Sequence, residues 1–387
     1  MITGVYLPEL NGAVLQCNQI VKMLSQSVNF SILAGTNHES ERGHQFFDGI
    51  KVYKAFMPRF RILKFLIGAF LFYSYLLKNL RYFDLIHIHG YSKRNAIIIL
   101  IGKIFKKKVI IKLTSIGVDD PCSIKKKSYI LWRIFKFCDA YICISPAFYL
   151  SYINTGLSDE KYNFIPNGVD LDKYHKISLN NKNKIRENFG ISEDAKIIIF
   201  IGHFSMEKRP ILLYKSWIKL SQMNPNIKLL LIGRTKNDFE VNEEIVETIK
   251  LDAIKKGVIS QIIFVEETTD IDMYLKISDV FALPSSREGL PNVLLEAMAC
   301  SLPCVVSNLP GVTDWLIDDG LNGLLFQTED TDILAKKIEF FITKEIEAQI
   351  IGDAARTFVE ENFSCTTTSK KVMNLYIKTL GVTPSSN

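Results

Sequence analysis

Short apolar runs alternate with longer stretches of helical period along most of the chain. In the first half, 29–34, 51–55, 85–88, 109–113 and 140–144 read as strands, and 18–27, 65–79, 93–105 and 128–138 read as helices. The second half repeats the scheme. Strands are expected at 197–201, 228–232, 262–265, 280–283 and 303–307, with helices among them at 211–221, 241–256 and 291–299. Runs such as 280–283 are apolar throughout, as in a strand buried on both faces of a parallel sheet. Strand–helix alternation predicts an α/β fold of parallel sheets covered by helices. Two such series predict two Rossmann-like domains with a junction near 165–180. Ligands of such sheets bind at the carboxyl ends of the strands, so two facing domains imply a central cleft. At 387 residues the chain has length for both.

Composition adds little: 48% hydrophobic and 23% charged residues belong to a folded globular chain. Seven cysteines are scattered without a Cys-x-x-Cys pair, which favours free thiols in a reducing compartment. Met1 is followed almost at once by a turn sequence, so no signal peptide and a cytoplasmic location are expected.

Charge changes the picture more. Residues 1–170 hold 22 lysines and arginines against 11 acidic residues, whereas 171–387 hold 25 against 30. A basic first half predicts an anionic partner, such as anionic or pyrophosphate-linked lipid. No nucleic-acid motif is present, so nucleic acid is not an expected partner. The apolar stretch 65–77 (FLIGAFLFYSYLL) is flanked by Arg59, Arg61, Lys64, Lys78 and Arg81. It is shorter than the roughly 20 residues a bilayer core requires. It reads either as an interfacial helix or as a buried helix on the first sheet. Lys106–Lys108 and Lys125–Lys127 would add about 1 kcal/mol each at an anionic surface. Peripheral attachment to the inner face of a membrane is the expectation.

The segment 284–303 (PSSREGLPNVLLEAMACSLP) carries the chemistry. It reads as a loop turning into a helix, with Glu288 in the loop and Glu296 about two turns into the helix. Pro291 suits the first helical position, where its missing N–H would be orphaned anyway. Gly289 allows close approach of a ligand to the backbone. The first-turn amides of Asn292, Val293 and Leu294, with the helix dipole, suit a phosphate. Like charges repel, so Glu288 is better placed to accept hydrogen bonds from hydroxyls than to bind that phosphate. A nucleotide sugar, anionic in the middle with hydroxyls at both ends, fits this pattern. The two carboxylates should stand about 10 Å apart or more, too far for a retaining glycosidase pair. The alternative is a helix with an acidic loop and a surface glutamate.

This segment resembles the E-x7-E signature of family 4 glycosyltransferases, retaining enzymes of the GT-B fold. The resemblance runs through the chain in order: LPELNG at 7–12 resembles the glycine loop after the first strand, DLIHIHG at 84–90 a strand end near the acceptor, IPNGVD at 165–170 the interdomain segment, and IGHFSMEKRP at 201–210 the phosphate-binding loop. It implies an N-terminal acceptor domain at 1–168, a nucleotide-sugar domain at 169–362, and a helical segment at 363–387 crossing back. It implies transfer of a sugar, from a UDP- or GDP-type donor, to a hydroxyl of a glycan or lipid-linked acceptor in surface polysaccharide synthesis. The nucleotide sugar is a co-substrate, and neither cofactor nor metal is expected. Carried over residue by residue, Glu288, Lys208 and His89 are catalytic. Gly12, His203, Lys208, Glu288, Gly289, Leu290, Pro291, Asn292, Val293 and Glu296 bind the donor, Glu296 at the ribose. The departing diphosphate accepts the acceptor's proton. Of His87 and His89, whose side chains point the same way, His89 lies nearer the strand's carboxyl end; a structural histidine is the alternative at both.

Three departures stand out. The first strand looks truncated. His203 stands where the family usually has Arg, and a neutral imidazole offers one donor against five. Ser301 replaces the usual Gly after the helix, at a cost of about 1 kcal/mol if its φ is positive. Asp170–Asp172 and Asp270–Asp272 match D-x-D, a tripeptide too short to indicate a metal. A non-catalytic binding subunit of the same shape and a sugar-nucleotide epimerase are the competing functions.

Overall fold

The computed structural model describes residues 1–9, 11–58, 62–235, 241–327 and 329–382. Leu10 of the expected glycine loop, Arg59 and Arg61, and the end of the expected C-terminal segment lie outside the described residues. The chain divides into two compact units, Met1–Gly168 with Cys365–Asn387, and Val169–Ser364.

The first unit is built on eight strands: β1 (Ile2–Thr3), β2 (Ser31–Thr36), β3 (Gly43–Phe47), β4 (Ile50–Phe56), β5 (Leu85–His89), β6 (Lys108–Lys112), β7 (Ala140–Cys143) and β8 (Tyr162–Phe164). Their order is β3-β4-β2-β1-β5-β6-β7-β8. Every pairing is parallel except β3 with β4. The helices are α1 (Gly12–Leu24), α2 (Ile62–Asn79), α3 (Lys93–Ile104), α4 (Pro121–Lys127), α5 (Tyr129–Phe135) and α6 (Pro146–Ile153), with a C-terminal helix at Cys365–Leu380.

Several boundaries correct the sequence reading. Residues 43–47, which lie between the strands expected at 29–34 and 51–55, form β3, joined to β4 through Asp48 and Gly49 at φ 49° and 80°, the backbone of a two-residue Asp-Gly hairpin. The first helix begins at Gly12, not 18, because Asn11 caps it by accepting from the Val14 amide at 2.9 Å. The helix expected at 128–138 ends at Phe135. The first strand is indeed short. Ile2 lies opposite Leu33 and Ile88, and the Met1 ammonium donates to the Ser31 carbonyl at 2.6 Å. A cavity of about 430 Å³ adjoins that end of β1, lined by Met1, Ser31, Leu85, His87 and Tyr376 among others.

Helix α2 is buried along one face and exposed along the other. Gly68, Phe72 and Leu76 are buried. A Cβ on Gly68 would stand 1.9 Å from the Phe56 carbonyl oxygen, so the helix backbone lies directly on the end of β4. Its opposite face exposes Ile62, Leu63, Leu66, Ile67, Phe70 and Leu71 at helical spacing. By length and composition alone, Ile62–Tyr82 is the one helical stretch among the described residues that could cross a membrane.

The second unit has six parallel strands: β9 (Lys196–Ile201), β10 (Ile227–Ile232), β11 (Ile262–Val265), β12 (Val280–Leu283), β13 (Cys304–Ser307) and β14 (Leu324–Phe326), in the order β11-β10-β9-β12-β13-β14. Its helices are α7 (Leu179–Asn188), α8 (Pro210–Ser221), α9 (Glu243–Lys255), α10 (Ile271–Ile277), α11 (Asn292–Ala299), α12 (Thr331–Thr343) and α13 (Glu345–Asn362); the C-terminal helix of the first unit is α14. Ile198, Phe200, Leu213, Trp217, Leu229 and Leu231 anchor its core, each contributing about 1.5–3 kcal/mol by burial. In both sheets the chain starts inside, adds strands on one side, then crosses to the other. The resulting switch points lie between β1 and β5 and between β9 and β12, where open α/β sheets leave a crevice at the strands' carboxyl ends.

Candidate functional site

The loops leaving β9 and β12 meet at the switch point of the second unit. Gly233, at φ 154°, could carry no side chain, since a Cβ there would stand 2.0 Å from the Gly202 carbonyl oxygen. That contact holds the start of the 202–209 loop against the end of β10. Arg209 closes the loop in the left-handed region, at φ 52°, just before Pro210 opens α8.

The facing loop runs from Pro284 to Pro291, and two consecutive residues of each loop pair crosswise. Arg287 donates to both Glu207 oxygens at 2.5 and 2.6 Å. Lys208 Nζ donates to both Glu288 oxygens at 2.7 Å. The Ser286 amide donates to the Glu207 carbonyl at 2.8 Å. The Glu288 side chain is only 7% exposed, against 25% for Lys208. A carboxylate that buried requires a counter-charge, and Lys208 supplies it through charge-assisted hydrogen bonds. Glu207–Arg287 is largely exposed and contributes little by itself. Lys208, expected to bind the donor, is thus paired with the carboxylate expected to accept from hydroxyls. His203 lies half-buried at the start of the same loop.

Helix α11 begins one residue later than expected. Pro291 has φ −74° and ψ 101°, so it is the N-cap and not the first helical residue. Its carbonyl accepts from the Leu294 amide at 3.1 Å, which removes Leu294 from the expected set of free amides. Gly289, Leu290 and Pro291 are buried, and Asn292 and Val293 are half-buried at the helix start. Ser285, fully buried beside them, has no hydrogen-bond partner for its hydroxyl among the described residues. It was not singled out by sequence, where a serine between Pro284 and Ser286 gives no signal.

Glu296 lies on α11 among groups the sequence did not connect to it. Burial pushes its carboxyl up to about 7; Lys173 and a hydrogen bond with Tyr174 pull the other way, and Asp272 adds to the rise. Asp272, in the second D-x-D, pairs with Lys276 at 3.0 Å and Lys173 at 3.7 Å. Asp170, in the first, accepts from the amides of Asp172 and Lys173 at 3.1 and 3.0 Å. Among the described residues, no group of three or more His, Cys, Asp or Glu is placed to hold a metal.

Gly12 and His89 belong to the first unit. Gly12, expected in a loop, is the first residue of α1. His89 ends β5 and is buried, stacked on His87 at 4.5 Å between ring centroids. Burial holds both imidazoles well below their usual range, with Lys112 adding to it. His87 Nδ1 shares a 2.6 Å hydrogen bond with Tyr376, whereas neither ring nitrogen of His89 has a partner among the described residues. Lys112 pairs in register with His89 and is buried without a partner for Nζ, its ammonium lowered to about 8 by burial. Asp119, also buried, accepts from the Tyr91, Thr114 and Ser115 amides. Burial lifts its carboxyl to about 6 despite those bonds.

Two family profiles match, Glycosyltransferase Family 4 over residues 10–173 and Glycosyl transferases group 1 over residues 181–358. The UDP-Gal:alpha-D-GlcNAc-diphosphoundecaprenol alpha-1,3-galactosyltransferase of Escherichia coli is 27% identical over 222 residues, 56% of this chain and 54% of that one. The capsular polysaccharide biosynthesis glycosyltransferase CapM of Staphylococcus aureus is 26% identical over 255 residues, 64% of each. The chain therefore spans a little over half the length of the curated relatives it matches. HepE of Anabaena, crystallised with UDP and glucose, superposes with a TM-score of 0.76 at 19% identity, covering 97% of this chain and 99% of that one. That likeness shows the GT-B fold. With its two halves matched in order by the two profiles, the chain belongs to the family 4, group 1 glycosyltransferases.

Proposed function

We propose that this chain transfers a sugar, with retention of anomeric configuration, from a UDP- or GDP-sugar to a hydroxyl of a glycan or lipid-linked acceptor. The observation that carries this reading is the Lys208–Glu288 pair at the β9/β12 switch point, beside the amino end of α11. A cation and a helix start suit a diphosphate, and a buried carboxylate suits sugar hydroxyls.

In this account the donor diphosphate lies at the α11 start and draws Lys208 toward it. Glu288, relieved of part of that pairing, accepts from hydroxyls of the sugar, and Glu296 accepts from the ribose. The acceptor oxygen forms a bond to the anomeric carbon as the bond from that carbon to the phosphate oxygen breaks. The acceptor proton passes to the leaving phosphate on the same face. Lys208 and the helix amides stabilise the charge that develops there, and no metal is required for that neutralisation. In the same reading His89 serves the acceptor.

A lipid-linked acceptor in surface polysaccharide synthesis is supported by the names of the Escherichia coli and Staphylococcus aureus relatives. The exposed apolar face of α2 and the basic first half support work at the inner face of a membrane. The experiment is a thermal-shift screen of UDP- and GDP-sugars, followed by transfer of labelled sugar from the stabilising donor to a lipid extract. A donor that stabilises the protein and yields labelled glycolipid supports the reading. Binding without transfer to any extract would make the chain a non-catalytic binding subunit.

A further inference from the structure

The loop after β6 holds a carboxylate surrounded only by donors. Asp119 Oδ1 accepts from the amides of Thr114 at 3.1 Å and Ser115 at 2.7 Å. Its Oδ2 accepts from the Thr114 amide at 3.0 Å, the Thr114 hydroxyl at 2.9 Å and the Tyr91 amide at 3.2 Å. The residue is 2% exposed. A buried carboxylate is tolerated where hydrogen bonds replace its hydration, and here backbone amides supply most of them.

These bonds join two strand ends. Thr114 and Ser115 follow β6, while Tyr91 stands two residues beyond His89 at the end of β5. Gly90, between them, is fixed on both sides: its amide donates to the Lys112 carbonyl at 2.8 Å, and its carbonyl accepts from Asn95 Nδ2 at 2.6 Å. Gly90 has φ 76°, and a Cβ there would stand 3.4 Å from Thr114 Oγ1 and 3.7 Å from Asp119 Oδ2. The glycine permits the turn through its positive φ, and the Asp119 cluster lies in ordinary contact with it.

We infer that Asp119 is a positioning residue for His89, holding the carboxyl end of β5 so that the ring is kept buried against His87 and aimed as transfer requires. The part of this concerning transfer rests on the sugar-transferase reading; the part concerning the ring does not. Asp119→Asn tests it, because an amide must turn its NH₂ toward donors on one side or the other and lose at least one of these bonds.

Two readouts separate the claims. Carbethoxylation of His89, followed by peptide mass analysis with exposed His38 as internal standard, needs no ligand. The rate at His89 should rise severalfold in Asp119→Asn while that at His38 is unchanged. With a UDP- or GDP-sugar that the wild type uses, kcat should fall about tenfold or more at an unchanged donor KM. If Asp119→Asn does not fold, Thr114→Val, which removes the 2.9 Å bond, should shift both readouts in the same direction to a smaller extent. An unchanged carbethoxylation rate at His89 overturns the inference, whatever the activity. A raised rate with kcat and donor KM both unchanged overturns its role in transfer. Failure of the wild type to use any nucleotide sugar refutes the transferase reading and leaves the carbethoxylation result to decide the positioning of His89.

Discussion

Glu288 and Glu296 are eight residues apart and in different electrostatic situations. Glu288 is paired with a lysine on the adjacent loop, whose Nζ lies 2.7 Å from both oxygens. Glu296 has no partner of comparable strength, and its carboxyl is raised to about 7 from 4.5. A folded chain that holds this proton more tightly than the unfolded one loses stability as pH rises between those values. Glu296→Gln, a neutral mimic, should therefore raise the melting temperature at pH 8 and leave it nearly unchanged at pH 4.5; thermal unfolding at the two pH values checks this. The eight-residue spacing was legible in the sequence because it lies within one segment. The Lys208 partnership and the Tyr174–Lys173 surroundings of Glu296 were not, because they join residues far apart in the chain through the fold.

At the level of elements, the parallel strands were readable because each is an uninterrupted apolar run. The elements that were missed or misplaced have polar or mixed surfaces. Helix α1 carries Gln16, Asn18 and Gln19 among its apolar positions, and Gln16 is buried there, its amide donating to the Gly168 carbonyl at 3.0 Å. Strand β3 is a half-exposed edge whose signal is its Asp48–Gly49 turn. The end of α11 was legible in chemistry: Ser301 has φ 57°, and its hydroxyl is buried without a partner among the described residues. Ser301→Gly should relieve both and raise unfolding stability by about 1 kcal/mol, measured by denaturant titration. The same change at Gly352 in reverse should be severe. A Cβ there would stand 2.2 Å from the Ser301 carbonyl oxygen, so Gly352→Ala should lower stability by about 2 kcal/mol or more.

For the whole molecule, the division into two α/β units was legible because the strand–helix rhythm restarts after residue 190. What the linear pattern left open was the face that α2 presents. The packed side, with Gly68 against the Phe56 carbonyl, and the exposed side, with Phe70 and Leu71, are both apolar. An apolar exposed face in the basic first half of the sequence predicts binding to anionic vesicles that weakens with salt. The protein should sediment with phosphatidylglycerol-containing liposomes at low ionic strength, and Leu66→Glu with Phe70→Glu should release it without loss of fold; failure of the wild type to sediment would remove the membrane from the account. The proposed function turns on Glu288, in the crevice of the second unit, binding hydroxyls of the donor sugar. Its most direct test is the steady-state transfer rate of Glu288→Ala beside the wild type, with the donor found by screening. The account predicts a fall of about a hundredfold or more at an unchanged melting temperature, whereas near-normal turnover would contradict it.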